Sequence, residues 1–155
     1  MSNTGLIIIL AFLGFLFLFF TISIIILLIF RSLKKSRICR LKDDGIISNT
    51  ILYLDEKANF FGIKSSGLRT VRGNGIFVLN QEEIYFSLFL PDKEYKIPID
   101  TIEKVETAKS FLGKTKFRKL LIIDFKEKDG TVNSAAWLLT DLNKALDLLT
   151  ELINK

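Results

Sequence analysis

The sequence predicts an N-terminal transmembrane α-helix, then a mainly β domain of seven short antiparallel strands, capped by a C-terminal amphipathic helix. Three observations carry this. Gly5 to Phe30 contains no Asp, Glu, Lys or Arg. From Lys57 to Leu138, short runs alternate apolar and polar residues and are broken by turn signals. After Thr140 the apolar residues recur at helical spacing. The expected divisions are a short extracytoplasmic N-terminus (1–4), a transmembrane helix (5–30), a basic juxtamembrane linker (31–45) and a β domain (46–155) that includes a helix at 140–154.

As a helix the uncharged run is about 39 Å long at 1.5 Å per residue. That spans a hydrocarbon core about 30 Å thick with some tilt. Lipid offers no partner for backbone groups, so helix is expected despite the many β-branched residues and Phe. A cleaved signal peptide would carry a basic start, a shorter apolar run and a small-residue cleavage site. Met1 to Thr4 has no Lys or Arg, and no Ala-x-Ala follows the run. Arg31, Lys34, Lys35, Arg37, Arg40 and Lys42 follow at once. Short flanks rich in Lys and Arg stay inside. The expectation is a retained single-pass anchor in the plasma membrane, N-terminus outside, with everything after Arg31 cytoplasmic.

Between Arg31 and Asp44 there are six basic and two acidic residues, a net +4. Gly45 to Lys155 holds 16 basic and 15 acidic residues, a net +1. The pI of 9.3 therefore belongs mostly to the membrane flank. A nucleic-acid partner, which wants the excess on the folded domain, is not expected. The flank suits anionic lipid, or simply sets topology. The small residues of the run form no GxxxG pair. Cys39 is the only cysteine, so no intramolecular disulfide is possible.

The strands are expected at Lys57–Ile63, Asn74–Asn80, Glu83–Leu90, around Tyr95–Ile99, Ile102–Ala108, Arg118–Lys128 and Thr131–Leu138. In the third, Ile84, Phe86, Leu88 and Leu90 should share a face. In the sixth, Leu121, Ile123 and Phe125 should do so. Pro91-Asp92 marks a turn, and Asp129-Gly130 a two-residue hairpin. Thr140 can cap the last helix, with Asp141 in its first turn. Leu142, Ala145, Leu146, Leu149, Leu152 and Ile153 make its apolar stripe, expected to close one end of the sheet. Ile46 to Leu54 reads equally as strand or helix.

Seven strands and one closing helix resemble a pleckstrin-homology-like split barrel. The resemblance is to GRAM and bacterial pleckstrin-homology-like domains at GNGIFVLNQEEIYF (Gly73–Phe86), KIPIDTIEKVE (Lys96–Glu106) and LLIIDFKEKDGTVNSAAWL (Leu120–Leu138). The whole chain also resembles a group of small single-span prokaryotic membrane proteins, through ANFFG (Ala58–Gly62), RGNG (Arg72–Gly75) and FLGKTKFRKLL (Phe111–Leu121). These resemblances imply fold and location, not chemistry.

No histidine is present, which removes Ser-His-Asp and Cys-His catalysis and most zinc sites. Asp55-Glu56 and Glu82-Glu83 are sequence neighbours whose side chains diverge, so neither is a defined acid–base couple. Gly73 and Gly75 begin a GxG with no third glycine or helix behind it. Lys64-Ser65 reads as polar loop. No catalytic residue, metal or cofactor is expected, and the chain is not read as an enzyme.

Two acid-free basic stretches remain. Lys57, Lys64, Arg69 and Arg72 lie between Glu56 and Glu82; Lys109, Lys114, Lys116, Arg118 and Lys119 lie between Glu106 and Asp124. Phe111 and Leu112 beside Lys114 suggest an apolar tip pressing into an interface. The candidate contacts to lipid or a partner are Lys64, Arg69, Arg72, Lys109, Lys114, Lys116, Arg118 and Lys119. The functional expectation is a membrane-anchored interaction module touching anionic lipid or an acidic protein surface. The alternative is a scaffold or accessory subunit of a membrane-protein complex with no lipid recognition.

Overall fold

The computed structural model describes residues 3–47 and 50–154, with side chains described for all of these except residues 3, 6, 68, 69 and 116. The chain forms two compact units, Met1–Arg37 and Ile38–Lys155.

The first helix, α1, covers Asn3–Asp43. Its N-terminal part, an apolar run with no charged residue up to Phe30, is long and apolar enough to cross a membrane. Large apolar side chains are exposed around its whole circumference, with Phe17 at 72%. The Thr21 and Ser23 hydroxyls donate to the carbonyls of Leu18 and Phe19, each at 2.8 Å. Both donors are thus satisfied within the helix itself, as an apolar surround demands. The basic segment 31–45, expected as a linker, is instead helical through Asp43. Arg40 and Lys42 complement the negative end of the helix dipole. Gly45, at φ +72°, ends the helix in the left-handed region that glycine enters without penalty.

The second unit is built on one antiparallel sheet. Its strands are β1 (Tyr53–Ile63), β2 (Gly73–Leu79), β3 (Glu83–Leu88), β4 (Lys93–Pro98), β5 (Ile102–Phe111), β6 (Lys114–Lys126) and β7 (Val132–Leu138). The order is β4-β3-β2-β1-β7-β6-β5, two meanders joined where β1 pairs with β7. The expected sequence of apolar helix, antiparallel sheet and short C-terminal helix is what the structure has. Tyr53 and Leu54, from the stretch read as strand or helix, are strand.

β1 can serve both meanders because it is bulged between Asp55 and Ala58 and again between Phe60 and Gly62. Gly62 sits at φ +114°, and a Cβ there would lie 2.3 Å from the Thr70 side chain. Gly75 lets β2 approach β3: its Cβ would lie 2.3 Å from the Ser87 carbonyl oxygen.

The inner face is an aromatic core. Trp137 meets Phe60, Phe77 and Phe86 at centroid distances of 5.4, 5.5 and 6.2 Å. Leu121, Ile123 and Phe125 lie on this face as the alternation requires, with Ile84, Phe86 and Leu88. Leu90 does not join them. β3 stops at Leu88, and Leu90 is 59% exposed. The second helix, α2 (Leu142–Ile153), packs Ala145 and Leu149 into the same core. Its cap is Asp141, whose Oδ1 accepts from the Lys144 N–H at 3.1 Å, and not Thr140. The Asp129-Gly130 turn is wider than two residues, since β6 ends at Lys126 and β7 starts at Val132.

Thr140 is engaged elsewhere. Asp55 is 4% exposed, and its carboxylate accepts from the Lys57 N–H (2.8 Å), the Thr140 N–H (2.5 Å) and the Thr140 hydroxyl (3.0 Å). The Tyr53 hydroxyl accepts from the Asp141 N–H at 3.3 Å. A buried carboxylate is tolerable only when donors surround it. These ones tie the first bulge of β1 to the turn entering α2.

Each half of the sheet also carries an apolar cluster away from this core. Ile76, Val78, Tyr85 and Phe89 pack with Leu41, at 0% exposure, and with Ile38, Ile46, Ile47 and Ile51. This is why β2 and β3 are buried on both sides, where simple alternation would leave one wet. On the other half, Phe61, Phe111, Leu120, Ile122 and Ala136 form a third cluster.

Candidate functional site

The β5–β6 hairpin carries most of the predicted basic residues, and its shape departs from a plain ladder. Phe111 pairs with Lys114 across a two-residue turn, Leu112-Gly113, with φ of 49° and 72°. Such turns need positive φ at both positions, which a leucine rarely adopts. Leu112 and Phe111 are held by packing in the third cluster. Phe111 is therefore buried, and the apolar tip expected at Phe111–Leu112 is not an exposed one.

The exposed apolar residue lies a few positions on. Ser110 pairs with Thr115 and Ala108 with Leu120, so Lys109 alone faces the four residues 116–119. This wide bulge swings Phe117 outward to 96% exposure, at φ +57°. Thr115 shapes the bulge: its hydroxyl donates to the Lys109 carbonyl (2.6 Å) and accepts the Phe117 N–H (3.1 Å). Lys109, Lys114, Arg118 and Lys119 are exposed around it, and none has an acidic partner among the described residues. Sequence alternation missed Phe117 because the bulge resets its phase. The available signal was an aromatic inside the basic word KFRK.

The other predicted residues are spread. Lys64 is exposed at the start of the 3₁₀ segment Lys64–Arg69 that follows β1. The side chains of Arg69 and Lys116 lie outside the described ones. Arg72 stands just before β2, half-buried, and both its terminal guanidinium nitrogens are buried without a hydrogen-bond partner among the described residues. Arg72 and Gly73 meet the β5–β6 hairpin at a cavity of about 250 Å³, lined also by Asn59, Phe61, Lys114 and Thr115. The structure thus brings Arg72 together with Lys114, while Lys64 sits apart from this cavity.

In the basic segment after the apolar run, Arg31, Lys35 and Lys42 are exposed, Lys34 is half-buried and Arg37 is buried. Arg40 is committed to the domain: its Nη1 donates to Asp92 at 3.0 Å and its Nη2 to Glu94 on β4. The hydrogen bond with Asp92 raises its guanidinium further above the ordinary value.

No family model matches the chain, and no curated protein does. Solved structures share its fold. A chain of the 8S snRNP assembly intermediate superposes with a TM-score of 0.50 at 14% identity, over 69% of this chain and 81% of that one. The crystal structure of the C-terminal domain of an unknown protein from Leishmania infantum gives 0.51 at 14% identity, over 77% and 98%. At such identity the likeness is one of fold.

Proposed function

We propose that this chain is a non-catalytic, pleckstrin-homology-like interaction module, anchored by α1 in the plasma membrane, whose domain contacts anionic lipid at the cytoplasmic surface through the β5–β6 hairpin. The observation that carries the reading is Phe117. A soluble surface has no use for an aromatic ring at 96% exposure, flanked by Lys114, Arg118 and Lys119 and held out by a bulge. A bilayer surface has use for both parts. Basic side chains near an anionic leaflet contribute about 1 kcal/mol each, and the ring gains by entering the headgroup–acyl boundary.

The two meanders, the strand order and α2 closing one opening support the pleckstrin-homology-like assignment. The exposed Arg31, Lys35 and Lys42 after the apolar run support a cytoplasmic domain. The anchor turns a weak surface contact into an intramolecular one at high effective concentration.

The test uses the full chain carrying Phe117→Trp in nanodiscs of phosphatidylcholine, with and without phosphatidylglycerol, some lipids brominated on their acyl chains. Trp137, at 0% exposure, supplies a constant background. The introduced tryptophan should be quenched and blue-shifted in the anionic discs only, and released by high salt. Equal, water-like emission in both discs would sink the reading.

A further inference from the structure

We infer that the cavity on the unclosed side of the sheet, between β4 and the β6–β7 turn, is a binding site for one long-chain carboxylate. Its acyl chain lies inside and its carboxylate meets the Lys128 ammonium at the mouth. This goes beyond the membrane reading and does not rest on it, since no residue from Lys109 to Lys119 lines the cavity.

The topology makes the space. β4 and β5 are the two ends of the strand order, so no ladder closes the sheet between them. A cavity of about 590 Å³ opens on that side, walled by residues 95–98 and by residues 125–129. α2 packs Ala145 and Leu149 into the core but gives this lining nothing. Pockets for small molecules run from about 300 to 1,000 Å³. Close packing is the rule in protein interiors, so space of this size against the core is a departure that a ligand would repair.

Inside, the wall is apolar. Ile63, Tyr95, Ile97 and Phe125 line it, backed by the fully buried rings of Phe60 and Trp137. The Phe60 ring stacks 4.6 Å from Tyr95 and 5.4 Å from Trp137, centroid to centroid. The Thr101 hydroxyl, also in the lining, already donates to the Pro98 carbonyl at 2.7 Å. Water finds few partners in such a place. An acyl chain gains by leaving water for it.

The mouth supplies the other half of the ligand. The Lys126 ammonium pairs with Glu103 at 2.8 Å. Glu127 accepts from the Asn133 amide, and Asp129 accepts from the Thr131 N–H and hydroxyl at 2.9 and 2.6 Å. Lys96 lies 5.4 Å over the Tyr85 ring. That leaves Lys128, which is exposed and has neither an acid nor a ring face as partner among the described residues. The uncommitted charge at the mouth of an apolar cavity is therefore positive. A chain with one anionic end complements both parts. One ammonium matches a monoanion, hence a carboxylate.

Trp137 is the only tryptophan, so its emission reports on this wall. The full chain in phosphatidylcholine nanodiscs is titrated with dibrominated stearic acid, whose bromines quench on contact. Emission should fall along a saturable curve and recover when excess unbrominated stearic acid displaces the probe. Tm should rise with the logarithm of acid concentration. Lys128→Met should move the midpoint to about tenfold higher acid, the loss of one charge-assisted hydrogen bond. The methyl ester should show that same weaker midpoint on the wild type. Thr101→Phe, which puts a ring into the cavity, should keep a cooperative melt and abolish the quenching. Should that chain not fold, Lys128→Met, altered only at an exposed side chain, carries the test.

Emission that the acid leaves unchanged, or lowers without saturating, overturns the site. So does a folded Thr101→Phe chain that is quenched like the wild type. An unshifted midpoint in Lys128→Met overturns the carboxylate. Discs of dibrominated phosphatidylcholine without free acid should leave Trp137 unquenched; quenching there overturns the free acid as occupant in favour of a lipid tail drawn from the bilayer. A tryptophan at Phe117→Trp that enters anionic discs, with no response of Trp137 to stearic acid, keeps the membrane reading and overturns this one.

Discussion

The Asp55 carboxylate and the end of the Arg72 side chain are both withdrawn from water, and they are treated in opposite ways. Asp55, in the first bulge of β1, is met by two N–H groups and the Thr140 hydroxyl at 2.5–3.0 Å and by the Tyr53 hydroxyl at 3.4 Å. Arg72, at the entrance to β2, has two buried nitrogens with no hydrogen-bond partner among the described residues. Burial costs both groups their hydration. Only Asp55 recovers it from the chain itself. A closed network of this kind fixes structure, because any movement orphans several partners at once.

The strongest way to break the contrast is to remove the satisfied charge. Asp55→Ala orphans four donors at the junction of β1 and α2, the Lys57 and Thr140 N–H groups and the Thr140 and Tyr53 hydroxyls, and should cost about 3 kcal/mol. Urea denaturation of the full chain would measure it. Arg72→Met should act in reverse, raising stability by about 1 kcal/mol in the same assay. If both substitutions destabilise alike, the two charges are not different in kind.

Smaller effects sharpen the comparison. Burial pushes the Tyr53 hydroxyl, next to Asp55, up to about 12. The fold therefore favours the protonated phenol. Its contribution is complete below about pH 10, the ordinary tyrosine value, and is lost as pH rises toward 12. Burial raises Tyr85 in the same direction. Alkaline melting should thus steepen over that window, and Tyr53→Phe should reduce the steepening without removing it. Arg40→Ala should cost less than about 1 kcal/mol, since its ion pair with Asp92 is a surface one, with both side chains about half exposed.

The sequence reveals the frame better than the site. Gly5–Phe30 declares its helix because nothing else tolerates so long an uncharged run. Leu121, Ile123 and Phe125 declare their face because an unbroken ladder has a period of two. The same rule fails wherever a second surface intervenes. Ile76, Val78 and Tyr85 sit on the face that alternation assigns to solvent, and they are buried because Ile38, Leu41 and Ile51 cover them. It fails again at 116–119, where four residues oppose one and Phe117 leaves the ladder altogether. Arg72 and Lys114 were both legible as cations. Their meeting at one cavity was not, because they stand 42 positions apart in sequence and share no strand pair.

The seam at Leu41 has a practical meaning. A fragment begun at Gly45, where the basic flank ends and a soluble domain would naturally be cut, leaves behind Ile38 and Leu41. It bares Ile76, Val78 and Tyr85 as a fresh sticky flank. Such a fragment would clump or bind membranes for reasons that have nothing to do with Phe117. The natural place to divide the molecule is inside the helix, ahead of Ile38.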